Sequence, residues 1–168
     1  MPTPPLTPLA AAVLAVGSPE RVLQIQCGDG DGALFLAREF PRARIRGVDE
    51  SEALVRAATA RIGLDPEGRI AFKVGKPRAL PFPDDHFDLV AAIDIAPAVS
   101  ETARVLRPGG HLIIARSEPL RSASGLTARL GRRRLRRHGI ELIVSDDAGD
   151  GSFSVARLRP TGQPPPSD

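Results

Sequence analysis

Arg21-Val22-Leu23-Gln24-Ile25-Gln26-Cys27-Gly28-Asp29-Gly30-Asp31-Gly32-Ala33 is the stretch on which the reading of this chain turns. Its first five residues are mostly apolar and read as a short strand, cut off by a cluster of glycines. Glycine accepts positive φ and lets a ligand approach the main chain without meeting a Cβ. From Ala33 to Phe40 the pattern is helical, and Pro41 closes it. The N–H groups that open such a helix have no partner within it, so they are free for polar ligand groups.

Working outward, Ala43 to Val48 is a second strand ending at Asp49, and Ser51 can cap a helix over Glu52 to Ile62. Arg69 to Val74 and the nearly continuous apolar run Phe87 to Ile93 read as strands, the latter buried on both faces. Pro97 to Leu106 is a helix, Arg107 to Gly110 a turn, and His111 to Ala115 another strand. Ser122 to Arg137 reads as a helix, with Glu141 to Val144 and Phe153 to Leu158 as closing strands. On the amino-terminal side, Leu9 to Val16 is a short helix stopped by Gly17. Strands alternating with helices predict an α/β fold: a doubly wound, mostly parallel seven-stranded sheet ending in an antiparallel hairpin. Such sheets bind ligands beyond the carboxyl ends of their strands, where strand order reverses. The loops after Ile25, Val48, Val74 and Ile93 are therefore the place for a site.

The chain has 168 residues, enough for one domain with a real core. Prolines at 2, 4, 5 and 8 and the tail Gln163 to Asp168 predict flexible segments over 1–8 and 161–168 around a domain at 9–160. One cysteine, Cys27, excludes an internal disulfide, and three scattered histidines predict no metal site. The net charge of +3 is local in origin. Arg129, Arg132, Arg133, Arg134, Arg136 and Arg137 crowd one acid-free stretch, and the remainder is net acidic. On the predicted helix Leu126, Leu130 and Leu135 can face the sheet while the arginines face water. No aromatic residue interleaves with them, so nucleic acid is not the expected partner. The apolar run Leu9 to Val16 is about half a membrane span and has no basic residue before it, so a soluble, cytoplasmic protein is expected.

Asp49, at the second strand's tip, can accept hydrogen bonds from both hydroxyls of a ribose. Gly28-x-Gly30-x-x-Ala33 with an acid about 20 residues on also fits a nicotinamide dinucleotide fingerprint. Four segments taken together resemble one family, the class I S-adenosylmethionine-dependent methyltransferases. Val22 to Gly30 is similar to its V-L-D-x-G-C-G-x-G, and Gly47-Val48-Asp49-Glu50-Ser51 to its G-x-D-x-S. Ala79 to Val90 resembles L-P-F-x-x-x-x-F-D-x-V, and Glu101 to Gly110 resembles E-x-x-R-V-L-K-P-G-G. The resemblance implies a Rossmann-like methyltransferase fold, S-adenosylmethionine as cofactor and a small-molecule acceptor. Residue by residue it places the cofactor against Gln24, Gln26, Gly28, Asp29, Gly30, Asp49, Glu50, Lys76 and Asp94.

Several positions depart from the family pattern. Gln24 stands for an acid, Gln26 for the first glycine, and Lys76 follows the third strand where an acid is common. The Val90–Glu101 connection is short, which removes part of the loop that commonly lines the family's acceptor site; a pocket left open or completed by a second copy or another chain is expected. These departures favour an alternative, a non-catalytic binding or oligomerisation module of the same fold. Asp94 is the first candidate for a catalytic base, with a helix cap as its plainer role. His86 is a weaker candidate still, His111 reads as structural, and Cys27 as packing. The turn Asp146 to Gly151 lacks the glutamate of a calcium loop.

Overall fold

The computed structural model describes residues 6–120 and 125–162, and for 125–128 the backbone only. In chain order the elements are α1 (Leu6–Val13), β1 (Arg21–Ile25), α2 (Asp31–Glu39), β2 (Arg44–Asp49), α3 (Glu52–Arg61), β3 (Ile70–Val74), β4 (Phe87–Ile93), α4 (Val99–Val105), β5 (Leu106–Arg116), α5 (Gly125–Arg137), β6 (Ile140–Ala148) and β7 (Gly151–Leu158). One seven-stranded sheet runs β3-β2-β1-β4-β5-β7-β6. Every pair from β3 to β5 is parallel, and β7 is antiparallel to both β5 and β6. The predicted doubly wound sheet with its antiparallel end is therefore present. Among the described residues no helix is long and apolar enough to cross a membrane.

Alternation along the strands divides the core in two. Val22, Ile45, Leu89, Ala91 and Ile113 face α1 and α2 in one cluster. Leu23, Val48, Val90 and Leu112 face the other side with Val105 of α4 and Leu135 of α5. Order reverses at β1, which lies between β2 and β4. The switch point thus lies just beyond Ile25, at the glycine cluster.

Three expectations are corrected. Helix α1 begins at Leu6 rather than Leu9, so Pro8, read as lead-in, is a buried helical residue. It stands in the first turn, where the N–H it lacks would have had no partner. Residues 1–5 and 163–168, whose flexibility was expected, lie outside the described residues. The turn predicted at Arg107–Gly110 is absorbed into β5 as an irregularity. Leu106 pairs with Phe87 and His111 with Leu89, so five steps of β5 match two of β4. Gly109, at φ +84°, makes that excursion. In α5, Leu135 is buried but Leu130 is 58% exposed. Five residues apart at 3.6 per turn, the two stand about 140° apart and cannot share a face. Leu126 lies outside the described side chains.

Candidate functional site at the β1–α2 loop

The loop after β1 is held by main chain on one side and by one carboxylate on the other. Cys27 N–H donates to Val48 O (3.0 Å), continuing the β1–β2 ladder, and Gly30 N–H donates to Cys27 O (3.0 Å). Asp49 Oδ2 accepts from Gly28 N–H at 3.0 Å, and Oδ1 accepts from Ser51 N–H at 2.9 Å. The side chain is 8% exposed and aims at the loop. Each oxygen keeps a second lone pair for a further donor. Ser51 caps α3 by accepting from Leu54 N–H (3.3 Å), as its position in the sequence predicts.

The glycines have separate jobs. Gly28, at φ +56°, has open space where a Cβ would point, with nothing within 4 Å. Gly32 lets α2 settle on the sheet: a Cβ there would lie 2.6 Å from Gln24 Nε2 and from Ile93 Cδ1. Gln24 is therefore wedged under the first turn of α2. It is 3% exposed, and its Oε1 is buried without a hydrogen-bond partner among the described residues. Gln26 is half-buried and takes φ +49°, the backbone of the glycine it replaces.

The remaining predicted residues are spread around this centre. Asp29 and Asp31 are bound by Arg61 at the end of α3. Arg61 donates to Asp29 O at 3.0 Å, pairs with Asp29 Oδ2 at 3.1 Å and also pairs with Asp31. These contacts hold the Arg61 guanidinium above its ordinary pKa. Sequence reasoning missed this clamp, because no local pattern links residues 30 apart. Glu50 is exposed beyond Asp49, and Lys76 is exposed just past β3. Asp94, after β4, has φ +53°. It caps no helix: its two oxygens accept from Ser117 N–H and Oγ, both at 2.6 Å. His86 lies at the start of β4, at the opposite end of the strands from the loop. Cys27 is 4% exposed, and burial, then the charge of Asp49, push its thiol up to about 12. A thiol so protonated is packing rather than nucleophile.

Glu101 and Arg104 form a second fixed unit, missed as such in the sequence. Glu101 Oε2 accepts from Leu80 N–H (2.8 Å). Arg104 donates to Leu80 O (3.0 Å), Phe82 O (2.9 Å) and Asp84 Oδ1 (2.8 Å), and pairs with Glu101 at 2.8 Å. The E-x-x-R signature thereby straps the L-P-F loop to α4. That loop in turn flanks the site, because Pro81 packs on Gly75 at the end of β3.

The residues at the switch point fit an adenosine cofactor: bare main chain at Gly28, a carboxylate beside it, and an unpaired acceptor at Gln24. Comparison with known proteins agrees. A family model described as a methyltransferase domain matches residues 22–110. The chain is 40% identical over 103 residues to the ubiquinone/menaquinone biosynthesis C-methyltransferase of Geobacter sulfurreducens, covering 56% of this chain and 40% of that protein. It is 32% identical over 163 residues to the 27-O-demethylrifamycin SV methyltransferase of Amycolatopsis mediterranei, covering 92% of this chain and 60% of that one. The chain thus spans about half the length of these relatives. An S-adenosylmethionine-dependent methyltransferase of Aquifex aeolicus shares the fold, with a TM-score of 0.70 at 17% identity over 89% of this chain and 88% of that one. With the motifs of the sequence placed in order along one switch-point sheet, this chain belongs to the class I S-adenosylmethionine-dependent methyltransferase family.

Proposed function

We propose that the chain is an S-adenosylmethionine-dependent methyltransferase acting on a small-molecule acceptor. The observation that carries this is Asp49, whose carboxylate closes the loop at Gly28 and Ser51 while a lone pair on each oxygen stays open to a ribose. Gly28 admits the adenosine to the main chain, whereas Gly30 makes room for the protein's own Phe72 and Ala58, and Gln24 Oε1 is a buried acceptor without a partner among the described residues. When bound, the cofactor supplies a methyl group on a positively charged sulfur. Displacement at carbon depends on alignment more than on proton transfer. Asp94, held by Ser117, accordingly positions the loop after β4 and is given no proton to move. The names of the two relatives, one of ubiquinone/menaquinone biosynthesis and one of 27-O-demethylrifamycin SV, support a small acceptor. The short Val90–Glu101 connection leaves the acceptor side to be closed by a second copy or another chain.

Calorimetric titration with S-adenosylmethionine, S-adenosylhomocysteine and NAD tests the proposal. Binding of the first two and not the third is expected. Asp49→Ala should abolish it and also lower thermal stability, because unsatisfied N–H groups at Gly28 and Ser51 cost about 1–3 kcal/mol each where water cannot reach them. A second reading, a non-catalytic module, draws on Gln26 and Lys76; absence of heat with all three ligands would select it.

A further inference from the structure

Two cavities lie at the amino ends of the strands, the pole of the sheet opposite the glycine loop. The larger, about 490 Å³, contains Asp88, but that carboxylate is already engaged. It pairs with Arg107 at 3.0 Å and accepts from the N–H groups of Glu20 and Arg21. The smaller, about 320 Å³, is lined by Arg21, Arg44, Arg46, His86 and Phe87, and no acid lines it.

The sheet forces these charges together. Arg21 and Arg44 are register partners on adjacent parallel strands, and Arg46 follows two residues on, opposite Leu23. Neighbouring strands are only about 4.8 Å apart, and residues i and i+2 share a face. All three guanidinium groups therefore rise from one patch. The connection from Gly75 to His86 forms no helix, so this patch has no helical cover. Among the described residues, the side chains of Arg21 and Arg44 have no hydrogen bond or ion pair. Arg46 uses one nitrogen, donating to Ile45 O (2.9 Å) and Arg69 O (3.0 Å), which fixes the group with its other N–H donors free. His86 is itself fixed edge-on against Phe87, with ring centroids 4.8 Å apart.

We propose that this cavity is a binding site for a phosphate-class oxyanion, free or carried on a small molecule, separate from the cofactor site. Guanidinium forks match the oxygens of such a group two at a time. Its charge relieves a repulsion that the fold otherwise bears. The same crowding acts on the groups themselves: burial and then the Arg44 charge lower the pKa of Arg46 against the opposing pull of Asp65. Burial, then the charges of Arg21, Arg107 and Arg46, lower that of His86 against the opposing pull of Asp88. The volume exceeds what one phosphate needs, so a diphosphate or a phosphomonoester fills it better.

The test titrates the full chain with inorganic phosphate, pyrophosphate and a simple phosphomonoester such as glycerol phosphate, against chloride at matched ionic strength. Saturable binding is expected, tightest for pyrophosphate if the group is free and for the monoester if it is carried. The double variant Arg21→Gln/Arg44→Gln should weaken it at least tenfold. Its thermal midpoint without phosphate should be unchanged or raised, because no side-chain bond is lost and two like charges are. The control Arg132→Gln/Arg133→Gln, on the distant basic helix, should bind as the parent does. No saturable binding, full binding by the double variant, or equal loss in the control each overturns the proposal. S-adenosylhomocysteine titration of the double variant reads the other pole independently, so failure of either site is told apart from failure of the other.

Discussion

At Gln26 the chain holds φ at +49°, a left-handed conformation that costs a residue with a Cβ about 1–2 kcal/mol. Replacement by glycine removes that strain but adds freedom to the unfolded chain worth about 0.5–1 kcal/mol. Gln26→Gly should therefore leave the unfolding midpoint in urea little changed or slightly raised. Its larger effect should be on the cofactor: removal of a half-buried amide from the loop should tighten S-adenosylhomocysteine severalfold in calorimetry. An unchanged affinity would mean that the amide lies clear of the ligand. The sequence showed that a glycine was missing here, yet not that the backbone keeps the glycine's shape, because φ is imposed by the ladder bond from Cys27 to Val48 on one side and Asp49 on the other. Asp94 was legible as an acid after a strand; its attachment to Ser117 was not, since the pair meets only when β4 and β5 lie side by side.

Among the elements, β4 follows the boundaries its nearly continuous apolar run predicts, as a strand buried on both faces should, and β1 keeps its predicted bounds although Gln24 interrupts its apolar run. The helices drift by a few residues, as α1 does, where a proline suits the first turn as well as it suits a linker. The loop from Leu80 to Asp84 shows a different kind of order, imposed by Arg104 of α4. Arg104→Ala removes four partners at once and should lower stability by about 2–4 kcal/mol in urea unfolding. Arg104→Lys should recover less than half, because an ammonium cannot reach Leu80 O, Phe82 O and two carboxylates from one plane. Full rescue by lysine would reduce the strap to simple charge pairing. Within it the bond from Arg104 holds Glu101 below its ordinary range, so the strap's contribution is present above about pH 4.3 and is lost as pH falls through the lower folded value.

For the whole molecule, acid should act earlier than the carboxylates alone predict. His86 and His111 both titrate below 6.5 in the fold: burial lowers each, aided by nearby arginines. The unfolded chain binds protons near pH 6.5 that the folded imidazoles refuse. Their contribution is therefore present above that value and is lost as pH falls through the folded values. Unfolding free energy measured from pH 8 to 5 should decline over this window, and the double variant His86→Asn/His111→Asn should flatten it; a profile flat in the parent would contradict the burial. The order of the sheet also bears on how the molecule is made. Thr7 and Pro8 of α1 lie against Gly149 and Gly151, at the turn into the last strand. Leu9, Ala12 and Val13 find Val22, Leu36, Ile45, Leu89 and Ile113 as those elements are made, but the helix's first turn at Thr7 and Pro8 has no cover there until the turn between β6 and β7 is in place. Seating of the first turn of α1 and completion of the sheet at β7 are therefore one late event.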